Sequence, residues 1–308
     1  MNSILKNILA ISVGLASLTA NADDKGRLFI IGEATPAGWD LDMSQAILST
    51  TEAPSVYRGT IYLKAGENKT FKFMQSHEWG STEFGLATDA SQSEVSGNIK
   101  LATGTFDDGY KQLQVAKDGN YDIVIDTESL KGDIVLSAYQ TTEIIYSSIY
   151  LVGNATNGGW SIEDGTPLYQ NTTSPFEYKA VVSLKSTDNG NPASFKIATA
   201  LRGAGSWDPK YFLFKDADDA GKISTDSTDD RQWSVKEDGT YTVTVNTQSN
   251  TISIEKTTGD ASGIEPIISS ATDNEPAVYY NLQGQRVNTP SNGIFIEVIG
   301  NKARKVKL

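Results

Sequence analysis

The sequence predicts an all-β protein, built as two tandem β-sandwiches followed by a short C-terminal β tail. Three observations predict it. A decapeptide is written twice, IIGEATPAGW at 30–39 and LVGNATNGGW at 151–160. The apolar runs are dominated by Val, Ile, Tyr, Phe and Thr, which suit a pleated, half-buried surface, and they alternate with polar residues at period 2. Asp-Gly, Asn-Gly, Ser-Asn and Pro turn signals separate these runs at short intervals, with no helical period in between.

The chain opens on a segment unlike the rest. Lys6 precedes an apolar run at 8–20, too short to span a bilayer core of about 30 Å. Ala20-Asn21-Ala22 then offers an A-x-A site ahead of Asp23-Asp24. Residues 1–22 read as a secretory signal peptide, so the mature protein is expected to be exported. The 308 residues include no Cys. An exported chain without Cys has no disulfides, no thiolate metal site and no attachment through an N-terminal lipidated Cys. The formal net charge of -12 repels nucleic acid and anionic lipid, so a neutral partner is expected.

The decapeptides head two matched stretches. Tyr57 corresponds to Tyr178, Phe71-Lys72-Phe73 to Phe195-Lys196-Ile197, and the Asp118-Gly119 turn to Asp238-Gly239. Each stretch closes on alternating strands, YDIVID then GDIVL in the first, YTVTVN then NTISIE in the second. A repeat of about 110 residues holding six to eight short strands predicts a whole sandwich rather than a solenoid unit. The modules are placed at 27–138 and 147–256. Residues 257–276, rich in Gly, Ser, Thr, Pro and acid, read as a linker. Residues 277–308 carry strand-like AVYYNL, QRV, GIFIEVI and ARKVKL and form the β tail, a small core on its own.

Candidate functional residues come from the Trp positions. Trp39 and Trp160 end the decapeptides, and Trp79 and Trp207 follow the Phe-Lys strands in polar loops. Paired loop indoles offer an apolar platform at low conformational cost, on which the C–H face of a pyranose stacks while polar neighbours orient its hydroxyls. An indole after a turn also caps a sandwich, so platform and core packing are both open for these four. Trp233, alternating with Val235, belongs to core or rim. Lys72 and Lys196 alternate with inward apolar residues and are expected to point outward, either solvated or donating to sugar hydroxyls.

Other constellations carry less. His77 is the sole His, which excludes a His-rich metal site; it is expected at the surface. The 38 acidic residues make chance carboxylate pairs unavoidable, and none sits in a repeated motif of the kind glycoside hydrolysis would need. In the acidic stretch 216–230, Asp216, Asp218, Gly221 and Ile223 match four positions of a calcium loop, but Ala220 and Ser227 fail two others. Asp216 and Asp218 are therefore a weak calcium candidate in what reads as a solvated loop. No cofactor is expected.

The opening aliphatic strand with its G-x-A-T-x-x-G-W, the F-K-F strand, the Trp-bearing loop and the closing D-G-x-Y strand resemble the tandem domains of the SusE and SusF type, outer-membrane starch-binding proteins of the Bacteroidota. The resemblance covers residues 27–256. It implies immunoglobulin-like, carbohydrate-binding-module-like sandwiches without catalytic activity. It also implies that each binds an α-glucan on an aromatic arc, here Trp39 with Trp79 and Trp160 with Trp207, joined by Lys72 and Lys196. The partners it implies are a polysaccharide and outer-membrane uptake machinery. The tail, NLQGQRVNTPSNGIFI, is similar to sorting segments of exported Bacteroidota proteins, which adds secretion machinery as a partner. The rival readings are a structural or adhesion protein of the envelope, whose Trp residues would be core, and a hydrolase using two acids.

Overall fold

The structure is a computed structural model, and it describes residues 26–50, 53–90, 94–104, 109–201, 207–224, 230–257, 278–280, 286–287, 294–299 and 302–307. The expected signal peptide lies outside these residues, as does the expected linker apart from Thr257. Two three-residue 3-10 turns aside (Leu41–Met43 and Pro209–Tyr211), every helix or strand among them is a strand.

The first strand set comprises β1 (Arg27–Ile31), β2 (Gln45–Thr50), β3 (Ala53–Leu63), β4 (Thr70–Met74), β5 (Glu83–Leu86), β6 (Gly97–Gly104), β7 (Leu113–Gln114), β8 (Gly119–Asp126) and β9 (Lys131–Leu136). All neighbours are antiparallel, in the order β1-β2-β3-β8-β9-β6-β5-β4, and β4 pairs back onto β1. The sandwich thus closes on itself, and closure removes the free edges that would invite pairing with another chain. β8 shows the period-2 logic: Tyr121, Ile123 and Ile125 are buried while Asp122, Val124 and Asp126 are less so. Leu28, Ile30, Ile61, Phe71, Phe73 and Ile134 meet the β8 residues in one core.

The second set comprises β10 (Ile149–Val152), β11 (Thr166–Asn171), β12 (Ser174–Leu184), the small hairpin β13 (Thr187–Asp188) and β14 (Asn191–Pro192), β15 (Lys196–Ala198), β16 (Phe212–Lys215), β17 (Ile223–Ser224), β18 (Gly239–Asn246) and β19 (Thr251–Lys256). Its order, β17-β16-β15-β10-β11-β12-β18-β19, repeats the first set strand for strand. A bridge between Lys222 and Thr251 brings its two ends together. Trp233 is 1% exposed in this core, stacked on Phe195 and donating its indole N–H to the Ala220 carbonyl at 3.0 Å. That is the core position its alternation with Val235 predicts.

The described residues from 26 to 257 form one compact unit, because the two sandwiches share a third apolar cluster. Phe29, Ile31, Ala46, Leu48 and Met74 of the first pack with Tyr150, Val152, Ala198, Tyr211, Phe212 and Phe214 of the second. Polar ties frame it. The buried Arg27 guanidinium donates to the Glu163 and Gly165 carbonyls at 2.8 and 2.9 Å and lies 5.0 Å over the Tyr150 ring. Gln45 donates to the Thr199 carbonyl at 2.8 Å. Gln170 accepts from the Thr60 N–H at 2.6 Å and donates to its carbonyl at 3.0 Å.

The tail is a separate unit. Its strands β20 (Val278–Tyr280), β21 (Arg286–Val287), β22 (Ile294–Ile299) and β23 (Lys302–Lys307) form an antiparallel sheet in the order β21-β20-β22-β23. Among the described residues no helix is long and apolar enough to cross a membrane.

Arg27→Met keeps the apolar stem but leaves two carbonyls at the shared cluster without their charged donor. Hydrogen bonds of that kind are worth about 1.5–3 kcal/mol each, and less once water reaches the site. Urea unfolding of the variant is expected to show a loss of about 2–3 kcal/mol.

Candidate functional site

The twice-written decapeptide builds the same loop in both modules. Gly32 donates to the Gly38 carbonyl at 2.9 Å, and Gly153 to that of Gly159 at 2.8 Å. The Thr35 hydroxyl and N–H both return to the Gly32 carbonyl, and Thr156 does the same to Gly153. Ala34 and Ala155 are fully buried and bond to the start of the Phe-Lys strand through the Thr70 and Ser194 carbonyls. Glycine is required at the first position, because a Cβ on Gly32 would lie 2.2 Å from the Thr70 oxygen and 2.4 Å from the Phe71 Cα. Each loop ends by presenting an indole, Trp39 or Trp160, each 38% exposed.

The second indole of each pair arrives on the loop after the Phe-Lys strand. Trp79 is 58% exposed and Trp207 39%. Both indoles of a module stand over one lysine. Lys72 Nζ lies 5.9 Å from the Trp39 ring and 5.5 Å from that of Trp79. Lys196 Nζ lies 5.9 Å from Trp160 and 5.0 Å from Trp207. The structure therefore brings together Trp39, Lys72 and Trp79, and separately Trp160, Lys196 and Trp207.

The lysines differ from expectation in one respect. They do leave the core face, but neither is solvated: Lys72 is 2% exposed and Lys196 6%. The indoles and the neighbouring strand cover them, and a buried ammonium must be paired. Lys72 bonds to Glu83 Oε1 at 2.5 Å, and Glu83 in turn accepts from the Tyr110 hydroxyl. Burial and this carboxylate raise the Tyr110 phenol well above its usual range, so it remains a donor. Lys196 bonds to Asp230 at 2.8 Å, and Gln232 donates to the other Asp230 oxygen at 3.1 Å. In the second module Trp207 stacks on Phe212 at 5.4 Å, almost parallel. Trp160, Lys196, Trp207, Pro209, Phe214, Asp230 and Gln232 line an open concavity of about 520 Å³.

Glu83, Tyr110, Asp230, Gln232 and Phe214 were not visible in the sequence as site residues. Four of them differ between the modules, so the repeat could not flag them, whereas Gln232 matches Gln112, each accepting from a hydroxyl at the start of the Phe-Lys strand, Ser194 and Thr70 respectively. His77 also departs from its expected surface place. It is half-buried, stacked on Phe29 at 4.9 Å, and its Nε2 meets the Leu41 carbonyl. It thereby fastens the Trp79 loop to the turn that follows Trp39. At the weak calcium candidate, Asp216 accepts the Asp218 and Asp219 N–H groups at 2.9 and 3.2 Å, a local turn. Ser227 lies outside the described residues, among which no group of three or more His, Cys, Asp or Glu could hold a metal.

Tandem antiparallel sandwiches, each presenting two exposed indoles over one buried lysine, define a class of module with a shallow aromatic platform. Residues 27–133 match the family model described as SusF/SusE starch specific CBMs. That match supports the family resemblance in the first module. Among solved structures the chain is similar to SusF from Bacteroides thetaiotaomicron, at 16% identity and a TM-score of 0.29. The similarity covers 89% of this chain and 57% of that one. No curated protein matches.

The exposures separate platform from core. Trp79→Ala, which uncovers Lys72, is expected to lower stability by about 0.5–2 kcal/mol, and Trp233→Ala by about 3–5 kcal/mol, both read from urea unfolding. A pH dependence follows from His77. Burial lowers its pKa in the folded state, below the ordinary value of about 6.5. The unfolded chain therefore binds the proton first, and stability present above pH ~6.5 is lost as pH falls through the folded value. In His77→Gln that part of the slope is expected to disappear, measured as unfolding free energy against pH.

Proposed function

We propose that this protein binds polysaccharide without turning it over, with starch-like α-glucan as the ligand, through the two indole platforms. The observation that carries the reading is the convergence, in each module, of two exposed indoles over one ammonium. Flat rings supply apolar area to the C–H faces of successive sugars, and the polar groups beneath fix orientation. The family match over residues 27–133 supports the ligand class, since the model describes starch-specific modules. The signal-like leader supports export and the same resemblance supports a place at the cell surface, beside glycan-uptake machinery.

A shallow site of this kind is expected to have a dissociation constant of about 0.1–1 mM, or roughly 4–5.5 kcal/mol. Two such sites on one chain raise retention on a long polymer through effective concentration, without new contacts. Native electrophoresis through gels containing amylopectin, pullulan, dextran or xylan tests the reading. Retardation by an α-glucan, abolished in Trp79→Ala/Trp207→Ala while the chain still unfolds cooperatively, is the expected result. Migration that none of these glycans alters would favour the envelope-structure alternative, and release of reducing sugar would favour a hydrolase.

A further inference from the structure

The two platforms share a design, but their floors differ. The matched registers Phe73 with Phe84 and Ile197 with Leu213 place Glu83 where the second module has Phe212, and Gly85 where it has Phe214. The Tyr110 ring fills the space over Gly85, where a Cβ would meet it at 2.1 Å. In the first module, then, the carboxylate lies on the strand beside Lys72 and is 3% exposed. One of its oxygens takes the ammonium and the other takes the Tyr110 hydroxyl. In the second module two phenyl rings occupy that strand, 4.5 and 5.6 Å from Lys196 Nζ. The carboxylate comes instead from Asp230, whose side chain is 61% exposed at the wall of the concavity.

We infer that the platforms divide the work: the second, through Asp230 and Gln232, reads the hydroxyls of the bound sugar and sets selectivity, while the first stacks sugars with little discrimination. The inference rests on the glycan reading above and deepens it. A carboxylate has about four lone-pair positions. Asp230 spends two on Lys196 and Gln232 and faces water with the rest. A sugar hydroxyl donating to it forms a charge-assisted bond, stronger and more directional than a neutral one. Glu83 is closed off from the surface, so a sugar over Trp39 and Trp79 gains chiefly apolar contact. Stacking accepts any ring with a flat C–H face, whereas a site built to hydrogen-bond a hydroxyl rejects a ligand that places it elsewhere.

Two single-platform chains separate the roles: Trp79→Ala leaves the second platform intact, and Trp207→Ala leaves the first. Each is titrated calorimetrically with maltoheptaose, isomaltoheptaose and cellohexaose. The second platform alone is expected to keep the full chain's ranking of the three, and the first alone to separate them by less than threefold. Adding Asp230→Ala to the Trp79→Ala chain is expected to weaken maltoheptaose binding tenfold or more, with Asp230→Asn intermediate. Platforms that respond alike, or a first platform that discriminates more sharply, overturn this inference alone. An unmutated chain that binds none of the three glucans overturns the glycan reading and this inference with it.

Discussion

A lysine ammonium held beneath two indoles constrains everything around it. Taken out of water, it needs both a counter-charge and a cover. The cover is the indole pair, whose electron-rich faces attract the cation by up to about 2 kcal/mol once water is excluded. The counter-charge is where the modules part: a buried strand glutamate for Lys72, an exposed loop aspartate for Lys196. A buried ion pair adds little net stability over an apolar pair of the same volume, so fold stability does not explain these groups. They do fix the height and tilt of the rings above them. An arrangement this ordered keeps low the conformational cost of presenting two flat surfaces to solvent.

The second constraint is close backbone approach. Gly32 and Gly153 let the loop cross directly over the Phe-Lys strand, with no room for a Cβ. The buried Thr hydroxyls then tie each loop to its own glycine carbonyl. Together these contacts explain why one chain writes nearly the same ten letters twice. Gly, Ala, Thr, Gly and Trp are, in turn, a crossing point, a core plug, a turn lock, a left-handed corner and the presented ring. Two of the positions that vary between the copies, Glu33 against Asn154 and Pro36 against Asn157, have no such shared duty.

The all-β class and the matching of the two copies were legible because alternation and repetition report directly on pleat and repeat, while the Trp–Lys groupings came from the family resemblance. Alternation in Phe71-Lys72-Phe73 says which way Lys72 points, but not what lies over it. The covering loops come from 39 and 79, and their approach is a tertiary fact. The shared cluster had a readable signal that alternation masked. β1 is buried at all five positions and β10 at all four, and a strand apolar on both faces is covered on both. RLFII and IYLV therefore mark a second packed face. Asp230 and Tyr110 carried no such signal: they stand at matched positions, three residues before Trp233 and Leu113, but differ in residue type.

The packed face and the platform face are the same surface. Ile31 pairs with Lys72 and Val152 with Lys196 across adjacent strands. Ile31 and Val152 both lie in the cluster that joins the sandwiches, so each lysine stands one strand away from the junction. Phe212 serves both, stacking under Trp207 while packing against the first module. A flexible tether would let the two platforms find sugars independently. Here Arg27, Gln45 and Gln170 lock the modules together through buried hydrogen bonds, so the platforms keep one separation and one relative orientation. The entropy of aligning them is spent when the chain folds rather than when a polymer arrives. Under the proposed glycan-binding reading, retention by two weak sites then depends on whether the polymer's own curvature matches that fixed geometry, which would make the junction part of the recognition surface.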